Sequence, residues 1–397
     1  MHILMIAPEP FFEPRGTAFS EYHRIRALTD LGHTVDLVTY PFGEDRPMPG
    51  LRVFRCARPP FLRKIGIGPS LAKIPLDISL AFTAFTRGLR GRYDAVHSHE
   101  EGIAIGIVMA TLLRVPHLYD MHSSLPQQLT NFAFTRSRII RRSFEVLERF
   151  VVRRSRVVIV ICPELKTTVQ AIDQDVPCVL IENAPGLSEE EPSGTPEALR
   201  ASLGLAPSQP VVLYTGTFEA YQGLDLLLDA FCRVYKERPD ARLVLAGGHP
   251  QQIEAMRGEA ASRGIGDAVI FAGQRPSSEI PLYLRMADIL VSPRSTGTNT
   301  PLKIYQYLRS GTPIVATRLL THTQVLSDDT AILTPATPDG FAAGIIDALG
   351  DPAHGSAVAT RARHLAETKY SYEAYLARTR EACAHLGMPP VARQMPA

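Results

Sequence analysis

The chain has 397 residues, 45% of them hydrophobic and 21% charged, and a formal net charge of +2. That length exceeds one comfortable core and favours two domains, while the near-neutral balance excludes a global basic field for nucleic acid. Five scattered cysteines, odd in number and without metal-ligand spacing, indicate reduced thiols rather than a disulfide framework.

The N-terminus opens on an apolar strand, HILMIA, without the basic region and cleavage site of a signal peptide. The longest apolar runs, residues 102–113 and 74–82, are too short for a membrane span. The expectation is a cytoplasmic protein, free or peripheral at the inner face of the membrane. The first 185 residues carry an excess of about five positive charges, which matters for any such contact.

In chain order, strand candidates fall at His2–Ala7, Thr34–Tyr40, Leu51–Arg55, Asp94–Ser98, Pro116–Tyr119, Val157–Cys162 and Cys178–Glu182. Most are continuous apolar runs rather than alternating ones, as parallel strands covered on both faces require. Helical patterns lie between them, and Gly32 after RALTDL reads as a left-handed helix cap. The stretch Pro185–Pro196, rich in Pro, Gly, Ser and Glu, reads as a linker. Alternation restarts with strands at 211–217, 242–248, 269–273, 288–293, 312–317 and 331–335. The expected architecture is α/β: two doubly wound Rossmann-like domains, residues 1–186 and 187–370, facing across a cleft, with a helix and tail at 371–397 that crosses back to the first domain.

Ligands of open parallel sheets bind beyond the carboxyl ends of the strands, so the loops leaving strands carry the candidate site. The most informative is SPRSTGTNTPLKIYQYLRSGTPIVAT, residues 292–317. A Gly/Thr-rich loop, Thr296–Thr300, runs into a helix expected from Pro301 with Thr300 as its N-cap. Free backbone N–H groups beside a positive helix end make an anion site. Lys303 and Arg294 can add charge-assisted bonds to a phosphate, and Gln306 shares the helix face of Lys303.

These residues resemble the retaining glycosyltransferases of GT-B fold and the family 4 type. Their corresponding helix carries two Glu residues eight apart before a small-Gly-Thr-Pro turn. Aligning SGTPIV places Thr298 and Gln306 at those two positions. In TGTFEAYQG, residues 215–223, the resembled family has Arg and Lys where Thr217 and Gln222 stand. The resemblance implies donor-binding roles for Gly16, Gly216, Arg275, Arg294, Asn299, Thr300, Pro301, Leu302, Lys303 and Gln306, and catalytic roles for His122, Thr298 and Lys303. It implies transfer of a sugar from a nucleotide-sugar donor to an acceptor hydroxyl with retention, the acceptor being a lipid-linked or cell-envelope glycan. No cofactor and no metal are implied, because cationic side chains stabilise the leaving diphosphate. Two other readings stay open: a nucleotide-sugar epimerase on the same fold, and a non-catalytic sugar-nucleotide-binding subunit.

The loop Pro14-Arg15-Gly16 lies under the donor in the resembled family, and reads equally as a plain helix start capped by Thr17 or Ser20. His97 and His99 share a strand face, but no spaced third ligand stands near them in sequence, so metal is not expected. Asp173-Gln174-Asp175 reads as a surface turn at the wrong end of the sheet for ligand. Finally, residues 136–156 hold eight Arg against two Glu, with apolar residues at helical spacing. They read as a solvated core helix or as a surface for anionic lipid.

Overall fold

The computed structural model describes residues 1–12, 16–62, 73–126, 137–182 and 193–387. The chain divides into two compact units, Met1–Ala184 with Tyr372–Ala397, and Pro185–Ser371.

The first unit holds seven parallel strands: β1 (His2–Ala7), β2 (Thr34–Thr39), β3 (Leu51–Arg55), β4 (Ala95–His99), β5 (His117–Met121), β6 (Val157–Val160) and β7 (Cys178–Leu180). They lie in the order β3-β2-β1-β4-β5-β6-β7. Strands β4 and β5 are buried along their whole length, so the sheet is covered on both faces there and the polar residues His97, His99 and Asp120 are buried with it. The helix Gly16–Asp30 ends as expected, with Gly32 at φ +81° and its N–H on the Thr29 carbonyl. The helix Tyr372–Gly387 packs on the helix Gly16–Asp30 and on β6 and β7. It is held there by the Tyr372 hydroxyl on Asp30 (2.5 Å), the Arg378–Glu182 ion pair (2.8 Å) and Tyr375 beneath the Arg24 guanidinium.

The second unit holds β8 (Val211–Thr215), β9 (Arg242–Ala246), β10 (Val269–Gly273), β11 (Ile289–Ser292), β12 (Ile314–Thr317) and β13 (Ile332–Thr334), all parallel, in the order β10-β9-β8-β11-β12-β13. The helix Leu224–Glu237 shows how its core forms. Leu224, Leu227, Leu228, Phe231 and Val234 recur at helical spacing and are all buried. Each such side chain contributes about 1.5–3 kcal/mol on burial.

In each sheet the strand order reverses once, between β1 and β4 and between β8 and β11. A crevice opens at such a switch point because the helices on either side cover opposite faces. The expected site loops follow β1, β4 and β5 in one unit and β8 and β11 in the other. Asp173–Asp175, by contrast, lies between the helix Pro163–Ile172 and β7, at the amino end of the strand, with the Asp175 N–H on the Asp173 carboxylate. It is a surface turn.

Candidate functional site

At the second switch point, the loops after β8 and β11 interlock. Gly223 is left-handed (φ +74°), and a Cβ there would fall 2.1 Å from the Pro293 carbonyl oxygen. Ser295 N–H reaches the Tyr221 carbonyl at 3.2 Å. Gly216 closes β8 at φ +137°, and a Cβ there would stand 2.9 Å from Lys303 Nζ. The positive φ favours glycine at this position, beside the lysine head.

Lys303 is buried, with its ammonium 3.3 Å from Gln222 Oε1 and 3.7 Å from the Tyr214 ring centroid. Burial, and then the neighbouring Arg294 charge, hold its pKa well below the ordinary lysine value. Lys303 is also the first residue of the helix Lys303–Ser310, where the positive end of the helix opposes a cation. Arg294 lies beside it. Its Nη1 donates to the Asn299 carbonyl (2.5 Å) and the Thr321 hydroxyl (2.9 Å), its plane covers Tyr221, and its buried Nε has no hydrogen-bond partner. Among the described residues neither cation has a carboxylate within ion-pair distance. A buried Lys303 beside a half-buried Arg294, without counter-charge, is unfavourable until an anion arrives.

The loop itself is pinned from below. Gln324 donates to the Thr298 carbonyl (2.6 Å) and Thr321 to the Asn299 carbonyl (2.6 Å). His322 bridges Ser292 and Thr317, with burial pushing its pKa down to about 4. The helix starts later than expected: Leu302, not Thr300, is the N-cap, and no side chain caps it. The Ile304 and Tyr305 N–H groups bond three residues back to Pro301 and Leu302, a tighter turn that delays the α register. Thr300 Oγ1 is buried without a partner instead of capping. Gln306 is half-buried three residues on from Lys303. Arg275 is engaged on its own loop, with Nε on the Ala272 carbonyl and Nη1 3.9 Å from Glu279.

The first switch point is lined by ionisable groups of both signs. Asp120, fully buried, accepts from Arg24 Nε at 2.8 Å and stands 3.3 Å from His122 Nε2. His97 and His99 on β4 approach the same carboxylate at 3.4 and 4.0 Å. Burial raises the Asp120 pKa, but Arg24 and His122 outweigh it and hold it well below the usual range. His122 is held above its ordinary value: burial works the other way, and Asp120 wins. Glu100, beside His122 with Ser123 on its carboxylate (3.0 Å), is pushed up to about 7 by burial. Glu21 is pushed well above the carboxylate range by burial and by Glu9.

The helix begins at Gly16, so Thr17 and Ser20 are helical residues rather than caps, while Pro14 and Arg15 lie outside the described residues. His97 and His99 do have a third group nearby: with Asp120 their potential ligand atoms lie within 4.8 Å of one another. The neighbouring strand supplies it, since β4 and β5 pair with His99 opposite Asp120. Arg24 already neutralises that carboxylate, and a metal cation would sit against a guanidinium.

Residues 17–184 match the family model for the glycosyl transferase 4-like domain, and residues 209–351 match glycosyl transferases group 1. The chain belongs to this glycosyltransferase family. Among curated glycosyltransferases, it is 27% identical over 355 residues to the D-inositol 3-phosphate glycosyltransferase of Acidothermus cellulolyticus, covering 82% of this chain and 76% of that one. It is 28% identical over 255 residues to the alpha-monoglucosyldiacylglycerol synthase of Streptococcus pneumoniae, covering 60% and 56%. The chain spans 54–66% of the length of the first curated relatives it matches. In fold it is similar to the sucrose-phosphate synthase of Thermosynechococcus elongatus, with a TM-score of 0.77, 21% identity and 97% and 98% of the two chains covered. The fold is of the GT-B type, with two Rossmann-like units. Among the described residues no helix is long and apolar enough to cross a membrane.

Sequence reasoning missed Asp120, Arg24 and Glu21. The D-x-H spacing of Asp120 and His122 was a signal, since residues two apart share a strand face. Arg24 lies 96 residues from Asp120 and had none.

Proposed function

We propose that this glycosyltransferase moves a sugar from a nucleotide-sugar donor to an acceptor hydroxyl with retention, on a lipid-linked or cell-envelope acceptor. The observation that carries the donor assignment is the uncompensated pair of buried Lys303 and half-buried Arg294 at a switch point. A diphosphate supplies the missing negative charge, and bonds to it strengthen as the glycosidic bond breaks and charge grows on the leaving group. Lys303 is the chief diphosphate cation. It takes over from the Arg and Lys that the resembled family carries at the positions of Thr217 and Gln222, and its ammonium meets Gln222 itself.

The loop Thr298–Leu302 brings backbone N–H groups toward the phosphates, Gly216 leaves room for the lysine, and the Gln306 amide bonds a ribose hydroxyl. Thr298 and His122 are assigned to the sugar end, Gly16 to the donor's first-unit side and Arg275 to the base. The β-phosphate oxygen takes the acceptor proton, so no separate general base is required. The cations that meet the diphosphate are side chains, and no cofactor is used.

The names of the relatives support donor and acceptor class. They include a GDP-mannose-dependent phosphatidylinositol monomannoside mannosyltransferase from Mycolicibacterium smegmatis and a structure solved with UDP-glucose. The test is a donor panel read by thermal shift and by turnover. A donor at a hundredfold its Kd adds about 2.7 kcal/mol of stability. A stabilising donor with no transfer to any acceptor overturns the enzyme reading, and isomerised donor formed without acceptor replaces it with epimerisation.

A further inference from the structure

The helix Ile74–Arg90 has two apolar faces. Leu76, Leu80, Ala84 and Gly88 are buried. Ile74, Ile78, Phe82, Phe85 and Leu89, spaced by four, four, three and four, form a second stripe that faces outward, with Phe82 70% and Leu89 69% exposed. A helix that is apolar on both sides in water leaves one side awaiting cover.

The stripe continues onto neighbouring helices. Gly88 lets Met109 and Leu113 of the helix Ile103–Leu113 approach so closely that a Cβ would meet Met109 Cε at 2.3 Å. Val108 and Leu112 of that helix are exposed beside it. The next helix, Arg138–Arg154, packs on the same neighbour and adds Ile139, Val146 and Phe150, with Ile139 80% exposed.

Charge identifies what covers this face. Arg138, Arg141, Arg142, Arg149, Arg153 and Arg154 are all exposed. The acids are turned away or neutralised. Glu148 is buried on Ser124 and the Leu125 N–H, Glu145 is paired to Arg141 and Arg142, and Asp77 is bonded to the Tyr40 hydroxyl. Apolar side chains flanked by arginines suit a lipid interface, where the side chains enter the acyl boundary and the guanidiniums meet phosphate headgroups. A second copy of the chain fits poorly, because a two-fold self-contact sets the same six arginines against one another.

We propose that this three-helix face docks on an anionic lipid surface, with Ile74–Arg90 as the inserting element and Arg138–Arg154 as the headgroup-binding element. It deepens the reading of a lipid-linked acceptor and names where the membrane meets the protein.

The test is cosedimentation of the full chain with vesicles of phosphatidylcholine alone and of phosphatidylcholine mixed with phosphatidylglycerol. Binding is expected to the mixed vesicles only, weakening as the screening length falls from roughly 30 Å to roughly 3 Å with added salt. Replacing Arg141, Arg142, Arg153 and Arg154 with Gln weakens binding about fivefold per arginine. Phe82→Ser weakens it about tenfold or more. Both sets of positions are exposed, so thermal unfolding should be unchanged. Equal binding to both vesicle types, binding to neither, or a dimer in vesicle-free solution that Phe82→Ser dissolves would each overturn the proposal. Transfer to a short-chain acceptor, measured without vesicles, separates the two readings. Transfer without vesicle binding sinks the docking face alone, and vesicle binding without transfer sinks the enzymatic reading alone.

Discussion

The two switch points hold buried charge in opposite ways. In the first unit the buried Asp120 carboxylate lies within ion-pair distance of both Arg24 and His122. In the second, Lys303 and Arg294 share a site with a glutamine, two tyrosines and loop carbonyls, and their charges are left uncompensated. A self-compensated network holds a shape, whereas an uncompensated one stores affinity for an anion. On the proposed function, the diphosphate binds at the second switch point and the first holds His122 in place.

Removing the open cation tests the contrast most strongly. Lys303→Ala is expected to lower turnover at saturating donor by about 10²–10³, or about 3–4 kcal/mol, with little change in urea unfolding. Lys303→Arg should restore it only in part, since a planar fork cannot fill the position of a point charge. Near-normal turnover in the alanine variant would move the role to Arg294.

In the closed network the large effect falls on stability. Asp120→Asn strands the Arg24 guanidinium and should cost about 3–5 kcal/mol in urea unfolding near neutral pH. The native pKa of Asp120 lies below the unfolded value of about 3.9, so its contribution is complete above that pH and lost as pH falls below it. The wild type should therefore lose stability on acidification more steeply than Asp120→Asn.

A finer effect concerns protons. Lys303 has a depressed pKa in the free protein, and a bound diphosphate raises it, so donor binding should take up as much as one proton at alkaline pH. Calorimetry in buffers of different ionisation enthalpy reads this directly. Lys303→Arg should abolish the uptake, and an unchanged uptake would place the titrating group elsewhere.

A last effect belongs to Glu100, whose pKa rises from the ordinary 4.5 to about 7. The native state keeps a proton that the unfolded chain releases in that window, so stability falls as pH rises through it. Glu100→Gln should flatten this part of the profile, measured as unfolding midpoint against pH. A slope that persists would show that another group carries it.

Much of the fold was legible because its signals are local. All thirteen expected strands form, since buried parallel strands write continuous apolar runs into the sequence. Gly32 and Gly216 are both left-handed, as a helix cap and a close approach require. Helix starts were read less well at Thr300, Thr17 and Ser20, where a three-residue turn or an earlier start displaced the expected cap. The linker at 185–192 and the Pro14-Arg15 loop lie outside the described residues.

By itself the sequence determined the alternation of strands and helices, the residues that leave each strand, and the Thr/Gly-rich loop before Lys303. Each depends on neighbours within a few positions. Only the tertiary structure decided which of those residues meet. Lys303 reaches Gln222 across 81 positions, and Arg24 reaches Asp120 across 96. Strand order and register set those meetings, and a run of apolar residues carries no record of which strand it will lie beside.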